Sequence, residues 1–115
     1  MSSEDCIFCK IIRKEIPAAP VYEDELVLGF KDIHPLAPVH LLIVPKKHIV
    51  NVSAAEASDE AMIGRMFTAA RTMAAEAGVA ESGYRLTLNN NRDAGQDVFH
   101  LHMHLMGGRR MQRMG

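Results

Sequence analysis

Val98-Phe99-His100-Leu101-His102-Met103-His104-Leu105-Met106 is the stretch on which the fold and the chemistry of this 115-residue chain turn. It holds three of the six histidines, at alternate positions. Residues two apart in a β-strand share a face. A strand over residues 98–106 therefore sets His100, His102 and His104 in a row, with neighbouring Cα atoms about 6.5–7 Å apart. Leu101, Met103 and Leu105 then point the other way, into a core. Imidazole titrates near neutral pH, acts as acid, base or nucleophile, and binds metals. Three readings follow. Two histidines at i and i+2 can ligate zinc with a further ligand from elsewhere. A histidine can act as nucleophile in phosphoryl chemistry. The third reading is solvated histidines on an outer sheet face.

The residues just before this stretch favour phosphoryl chemistry. Asn89 closes a preceding strand, and Gly95-Gln96-Asp97 leads into the histidines. A glycine beside main-chain N–H groups makes an anion-binding nest. A phosphate held there lies against His102. One ring nitrogen of His102 attacks if the other is hydrogen-bonded, and a flanking histidine protonates a leaving amine. His40, at the start of another strand, is a candidate partner in this network.

The remaining chain reads as a small α+β protein. Residues 6–15 suggest a short helix capped by Asp5, with Ile7, Phe8, Ile11 and Ile12 on one face and Ile16-Pro17 ending it. Two short strands, 21–23 and 26–31, flank an Asp24-Glu25 turn. A proline-punctuated loop, Asp32 to Pro38, leads to a buried strand over 39–44. Ser53 with Glu56 has capping-box spacing and Ser58 is a second candidate cap for one long helix reaching Ala77. Its stripe is Met62, Met66, Ala69 or Ala70, Met73 and Ala77, with Gly78 as the C′ residue. Residues 84–89 make a fourth strand, and Asn90 to Gly95 is turn chemistry. Five strands and two inserted helices imply a mostly antiparallel sheet. One domain over residues 1–115 is expected, with a mobile tail from about residue 107.

Composition excludes several function classes. The net charge is −1 and the pI about 6.6, so there is no basic footprint for nucleic acid. No apolar run approaches the length of about 18 residues that a membrane span needs. The first six residues lack the pattern of an export signal, so Cys6 and Cys9 are expected reduced in a cytoplasm. At 12.7 kDa much surface stays exposed, and dimerisation would cover some of it.

The run His100-Leu101-His102-Met103-His104-Leu105 resembles the signature of the histidine triad (HIT) family, in which histidine and apolar residues alternate. Cys6-Ile7-Phe8-Cys9-Lys10-Ile11-Ile12 through Ile16-Pro17, Asp32-Ile33-His34-Pro35, His40 to His48, Gly95-Gln96 and Gly107-Gly108-Arg109 resemble its Hint branch, the nucleoside phosphoramidases. The resemblance covers nearly the whole chain and implies a HIT-like fold, with the sheet continued across a homodimer. It also implies a purine nucleotide ligand and hydrolysis of purine nucleoside 5′-phosphoramidates, of the AMP-NH2 and AMP-lysine type, with no catalytic cofactor. His102 would be the nucleophile that becomes nucleotidylated, with His100, His104 and His40 orienting it and managing protons. Asp32 would accept the ribose hydroxyls. Ile7, Phe8, Ile16, Phe30, Ile33 and Leu42 would wall the purine. Asn89, Gly95, Gln96 and the main chain at Asp97 would meet the α-phosphate. A nucleotide-binding interaction protein with incidental hydrolysis and a dinucleoside polyphosphate hydrolase are the rival readings.

Two features stand apart from that pattern. Many Hint proteins carry serine where this chain has Asp97, and a carboxylate beside a phosphate is repelled by about 1–4 kcal/mol. Cys6 and Cys9 form a C-x-x-C. A thioredoxin-like reading requires a preceding strand, and none is expected. In some bacterial relatives the matching pair binds zinc with the histidine of Lys-Lys-His and the first triad histidine, here His48 and His100. His34 is expected to be a solvated loop residue.

Overall fold

The structure, a computed structural model, describes residues 5–114. Met1 to Glu4, which belong to the stretch read for an export signal, and Gly115 lie outside the described residues. Five strands form one antiparallel sheet: β1 (Pro20–Glu23), β2 (Val27–Lys31), β3 (Val39–Pro45), β4 (Tyr84–Thr87) and β5 (Met103–Gly107). Their order is β1-β2-β3-β5-β4. Helices α1 (Ile7–Ile12) and α2 (Glu60–Glu76) cover opposite faces. Val27, Leu41, Ile43, Met103 and Leu105 pack under α2 with Met62, Met66, Ala70 and Met73. Leu28, Phe30, Leu42 and Val44 pack the other way, with Phe8, Cys6 and Cys9 of the α1 segment. β3 is buried on both faces, which is why it reads as a continuous apolar run.

The histidine strand is shorter than its pattern predicts. β5 starts at Met103, so His100 and His102 precede it. β3 pairs with β5 only as far as Ile43↔Met103. Beyond that point the Leu101 N–H donates to the Ile49 carbonyl at 2.6 Å instead of to a ladder. Alternation nevertheless persists. Leu101, Met103 and Leu105 are buried in the α2 cluster, while the three histidines lie on the α1 side and share ring contacts with Phe8 and one another.

Helix ends explain the other departures. The cap of α1 is Cys6, not Asp5: its sulfur accepts the Cys9 N–H at 3.4 Å. α1 stops at Ile12 rather than Glu15 because Lys14 adopts φ 63°. The Lys14 N–H reaches Ile11 O at 3.0 Å and the Glu15 N–H reaches Lys10 O at 2.8 Å, a Schellman motif without glycine. A capping box of Glu56 with Asp59, whose carboxylate accepts the Glu56 N–H at 2.9 Å, closes the 3-10 turn Ala57–Asp59 that leads into α2; the N-cap of α2 is Asp59, so neither Ser53 nor Ser58 caps the helix. Gly78, at φ 77°, closes α2 as the sequence suggests, but Ala74 rather than exposed Ala77 completes the buried stripe. β4 ends at Thr87, short of Asn89.

Gly108 follows β5 at φ 92°, and a Cβ there would lie 2.8 Å from Pro38 Cβ. Both the backbone region and the rigid ring oppose a side chain. Gly108→Ala should destabilise the fold by about 1–3 kcal/mol, read as a lower urea midpoint with an unchanged slope. An unchanged midpoint would show that the Pro38 loop yields freely.

Candidate active site

The site lies on the α1 face, where the segment entering β5 meets β3. His102, His100 and His40 each have one nitrogen committed to a main-chain group, and this sets their tautomers. Carbonyl oxygens only accept, so His102 Nδ1, 2.8 Å from His100 O, carries a proton. Its Nε2 is then the lone pair. His100 Nε2 likewise donates to Pro45 O at 2.9 Å, leaving Nδ1 as its lone pair. His40 is fixed in the opposite sense. The Leu36 N–H donates to His40 Nδ1 at 3.0 Å, so Nε2 bears the proton. That proton faces His104 Nδ1 at 2.9 Å and Asp32 Oδ2 at 3.5 Å. His104 therefore accepts at Nδ1 and carries its proton on Nε2. This assignment makes Asp32, His40 and His104 a proton chain, although their donor atoms also lie within 4.8 Å of one another.

Burial favours neutral rings. Desolvation pushes His104 down to about 4, helped by His102 and His40 and opposed by Asp32 and Asp97. His100, fully buried, also falls to about 4, chiefly by desolvation. His40 is lowered for the same reason, against the pull of Asp32. An anion arriving beside His104 acts in the opposite direction and favours its protonated form.

A cavity of about 300 Å³ opens on this row. Its apolar wall includes Ile7, Phe8, Ile16, Phe30, Ile33 and Leu42, and His102, His104, Asp32 and Asp97 complete the polar lining. Phe8 packs edge-on to His102, with ring centroids 5.1 Å apart. His40 and His100 stand behind the lining, both buried. Asn89, Gly95 and Gln96 do not line the cavity, and the N–H groups of Gly95 and Gln96 are used inside their own turn, by Arg92 O and Asn91 O. Ile11, Pro17, Ala18, Val98 and His34 join the lining without having been singled out for it; His34 is exposed, as expected of a loop histidine. Leu36 was missed because its role is played by its main chain. Arg109 supports it by donating to Leu36 O at 2.8 Å.

Behind His100 lies a second cluster. Its Nδ1 sits 3.3 Å from Cys6 Sγ, 3.5 Å from Cys9 Sγ and 3.1 Å from His48 Nδ1. His48 Nδ1 is 3.3 Å from Cys9 Sγ, and the buried His48 Nε2 has no hydrogen-bond partner among the described residues. Tetrahedral zinc, with Zn–S about 2.3 Å and Zn–N about 2.0–2.1 Å, spaces its ligands roughly 3.3–3.8 Å apart. Two thiols and two imidazole nitrogens so close together fit such an ion. Without one, desolvation and Cys6 push the Cys9 thiol up to about 11.

Comparison with known proteins agrees with this architecture. The family model "HIT domain" matches residues 13–111. The purine nucleoside phosphoramidase of Escherichia coli K12 is 52% identical over 107 residues, 93% of this chain and 90% of that protein. A HIT family hydrolase from Clostridium thermocellum superposes with a TM-score of 0.94 at 50% identity, covering 96% of both chains. A histidine triad protein from Clostridium difficile superposes at 0.95 with 38% identity over 100% of both chains. With its histidine row, its sheet order and a family match over most of its length, the chain belongs to the HIT domain family.

Proposed function

We propose that this protein hydrolyses purine nucleoside 5′-phosphoramidates through a nucleotidyl intermediate on His102. The observation that carries the reading is the Nδ1–H of His102 held on the His100 carbonyl, which leaves Nε2 as a lone pair in a ring lining the cavity. The E. coli relative named a purine nucleoside phosphoramidase supports the substrate class. The purine packs against the apolar wall, and Asp32 accepts the ribose hydroxyls. The main-chain N–H at Asp97, a residue of the lining, meets the α-phosphate.

Nε2 of His102 forms a bond to phosphorus as the P–N bond to the amine breaks. The amine takes a proton from His104, which gains that proton when the anionic phosphate enters beside it. Water then attacks phosphorus and gives a proton to His104, and the P–Nε2 bond breaks. One water is consumed, and a nucleoside monophosphate and an amine are released. His40, fixed by Leu36, keeps His104 in the tautomer this requires.

We read the second cluster as a structural zinc site of Cys6, Cys9, His48 and His100. The ion would tie α1 to the segment that enters β5, and the chemistry it supplies is that cross-link alone. The outer strand β4 and the half-exposed Phe67 of α2 support a homodimer with a continuous sheet, and we place the protein in the cytoplasm.

Turnover of adenosine 5′-phosphoramidate should vanish in His102→Ala, and acid-quenched wild type alone should carry an added AMP mass. His104→Asn should lose about 10²–10⁴-fold on amine leaving groups and far less on a p-nitrophenyl ester, which leaves without a proton. Tight AMP binding without turnover in the wild type would instead support the interaction-protein reading. Purified protein should hold one zinc per chain, with Cys9→Ser losing the ion and melting earlier. Absence of metal together with immediate titration of both thiols would refute that site. Sedimentation at micromolar concentration should give the mass of a dimer, and a monomer mass would refute the continuous sheet.

A further inference from the structure

Asp97 is the one acid of the cavity that nothing in the mechanism uses through its side chain. Asp32, the other, accepts the His34 N–H at 2.8 Å and faces His40. Asp97 is exposed at the cavity rim and makes no hydrogen bond or ion pair with any described residue. It is nevertheless held in place. Its neighbour Gln96 is buried: Oε1 accepts the Asn91 N–H at 2.7 Å, and Nε2 donates to Val50 O at 2.8 Å and Val98 O at 3.1 Å. Those bonds pin the main chain on both sides of Asp97.

Among the described residues no lysine or arginine lines the cavity, so none of them supplies a balancing cation. In-line displacement places the leaving atom opposite the attacking Nε2 of His102. The purine takes the apolar wall, so the leaving group's substituent extends toward the open rim beside the reacting imidazoles. The carboxyl side chain at that rim is Asp97, which lines the cavity together with His102 and His104.

We propose that Asp97 selects the leaving group, favouring phosphoramidates of amines that carry a second, cationic group and disfavouring anionic amines and polyphosphates. This rests on the phosphoramidase reading and adds the residue that discriminates among the amines by their charge. The bonds made and broken are unchanged; the carboxylate acts only through the charge of the departing substituent.

The test compares three adenosine 5′-phosphoramidates of equal length, bearing a terminal ammonium, a methyl or a carboxylate, with kcat/KM measured on the intact protein. For an exposed carboxylate a few ångströms from the substituent, wild type should prefer the ammonium over the carboxylate substrate by about tenfold. The preference should shrink as salt is raised. Asp97→Asn should bring the ratio close to one, and Asp97→Lys should reverse it. Because a ratio is read, a general loss of rate in either variant cancels. An unchanged ratio in Asp97→Asn, with all three substrates still turned over, overturns the role of Asp97 alone. Failure of wild type to hydrolyse any of the three overturns the phosphoramidase reading and this inference with it.

Discussion

The hydrogen bond from His102 Nδ1 to the carbonyl of His100, 2.8 Å long, is the constraint on which the site depends. A carbonyl inside a regular ladder would already be engaged with a neighbouring strand. Here β3–β5 pairing begins at Met103, so the His100 carbonyl is left to the imidazole two residues on. The departure from regular strand therefore aims the ring. It leaves the chain extended enough to keep Leu101, Met103 and Leu105 in the core.

Three chemically identical side chains acquire three different jobs from this arrangement. His100 is turned away from the cavity, with one nitrogen on Pro45 O and the other among two thiols and His48. His102 offers a lone pair, and His104 offers a proton. The difference comes from what each second nitrogen touches. A main-chain carbonyl forces a proton onto the nitrogen it faces, and a main-chain N–H removes one, as Leu36 does at His40. Phe8 links the two halves of the face, packing edge-on against both His100 and His102.

Desolvation couples these roles to folding. Burial holds His100 and His104 neutral, which suits a metal ligand and an uncharged resting site alike. The lining contains two acids and, among the described residues, no lysine or arginine, so in the proposed reaction imidazoles and main-chain N–H groups would meet the phosphate. In the proposed reaction such a site would gain positive charge when its anion arrives.

The sequence by itself determined the sheet, the two helices, the two faces of the histidine row and the grouping of Cys6, Cys9, His48 and His100. Each follows from a local period or from motif resemblance, and period two and period 3.6 are properties of the backbone alone. It could not locate the end of α1, because Lys14 takes a left-handed conformation usually left to glycine. It misplaced the start of α2, because a 3-10 turn boxed by Glu56 and Asp59 precedes the helix and Asp59 is its N-cap. It drew Gly95 and Gln96 toward the phosphate, whereas their N–H groups close their own turn. Only the tertiary structure decided which nitrogen of each histidine is free and which acid stands unpaired at the rim. Those outcomes depend on main-chain groups of Leu36, Pro45 and His100 brought together across the fold, and no side-chain pattern records where a carbonyl points.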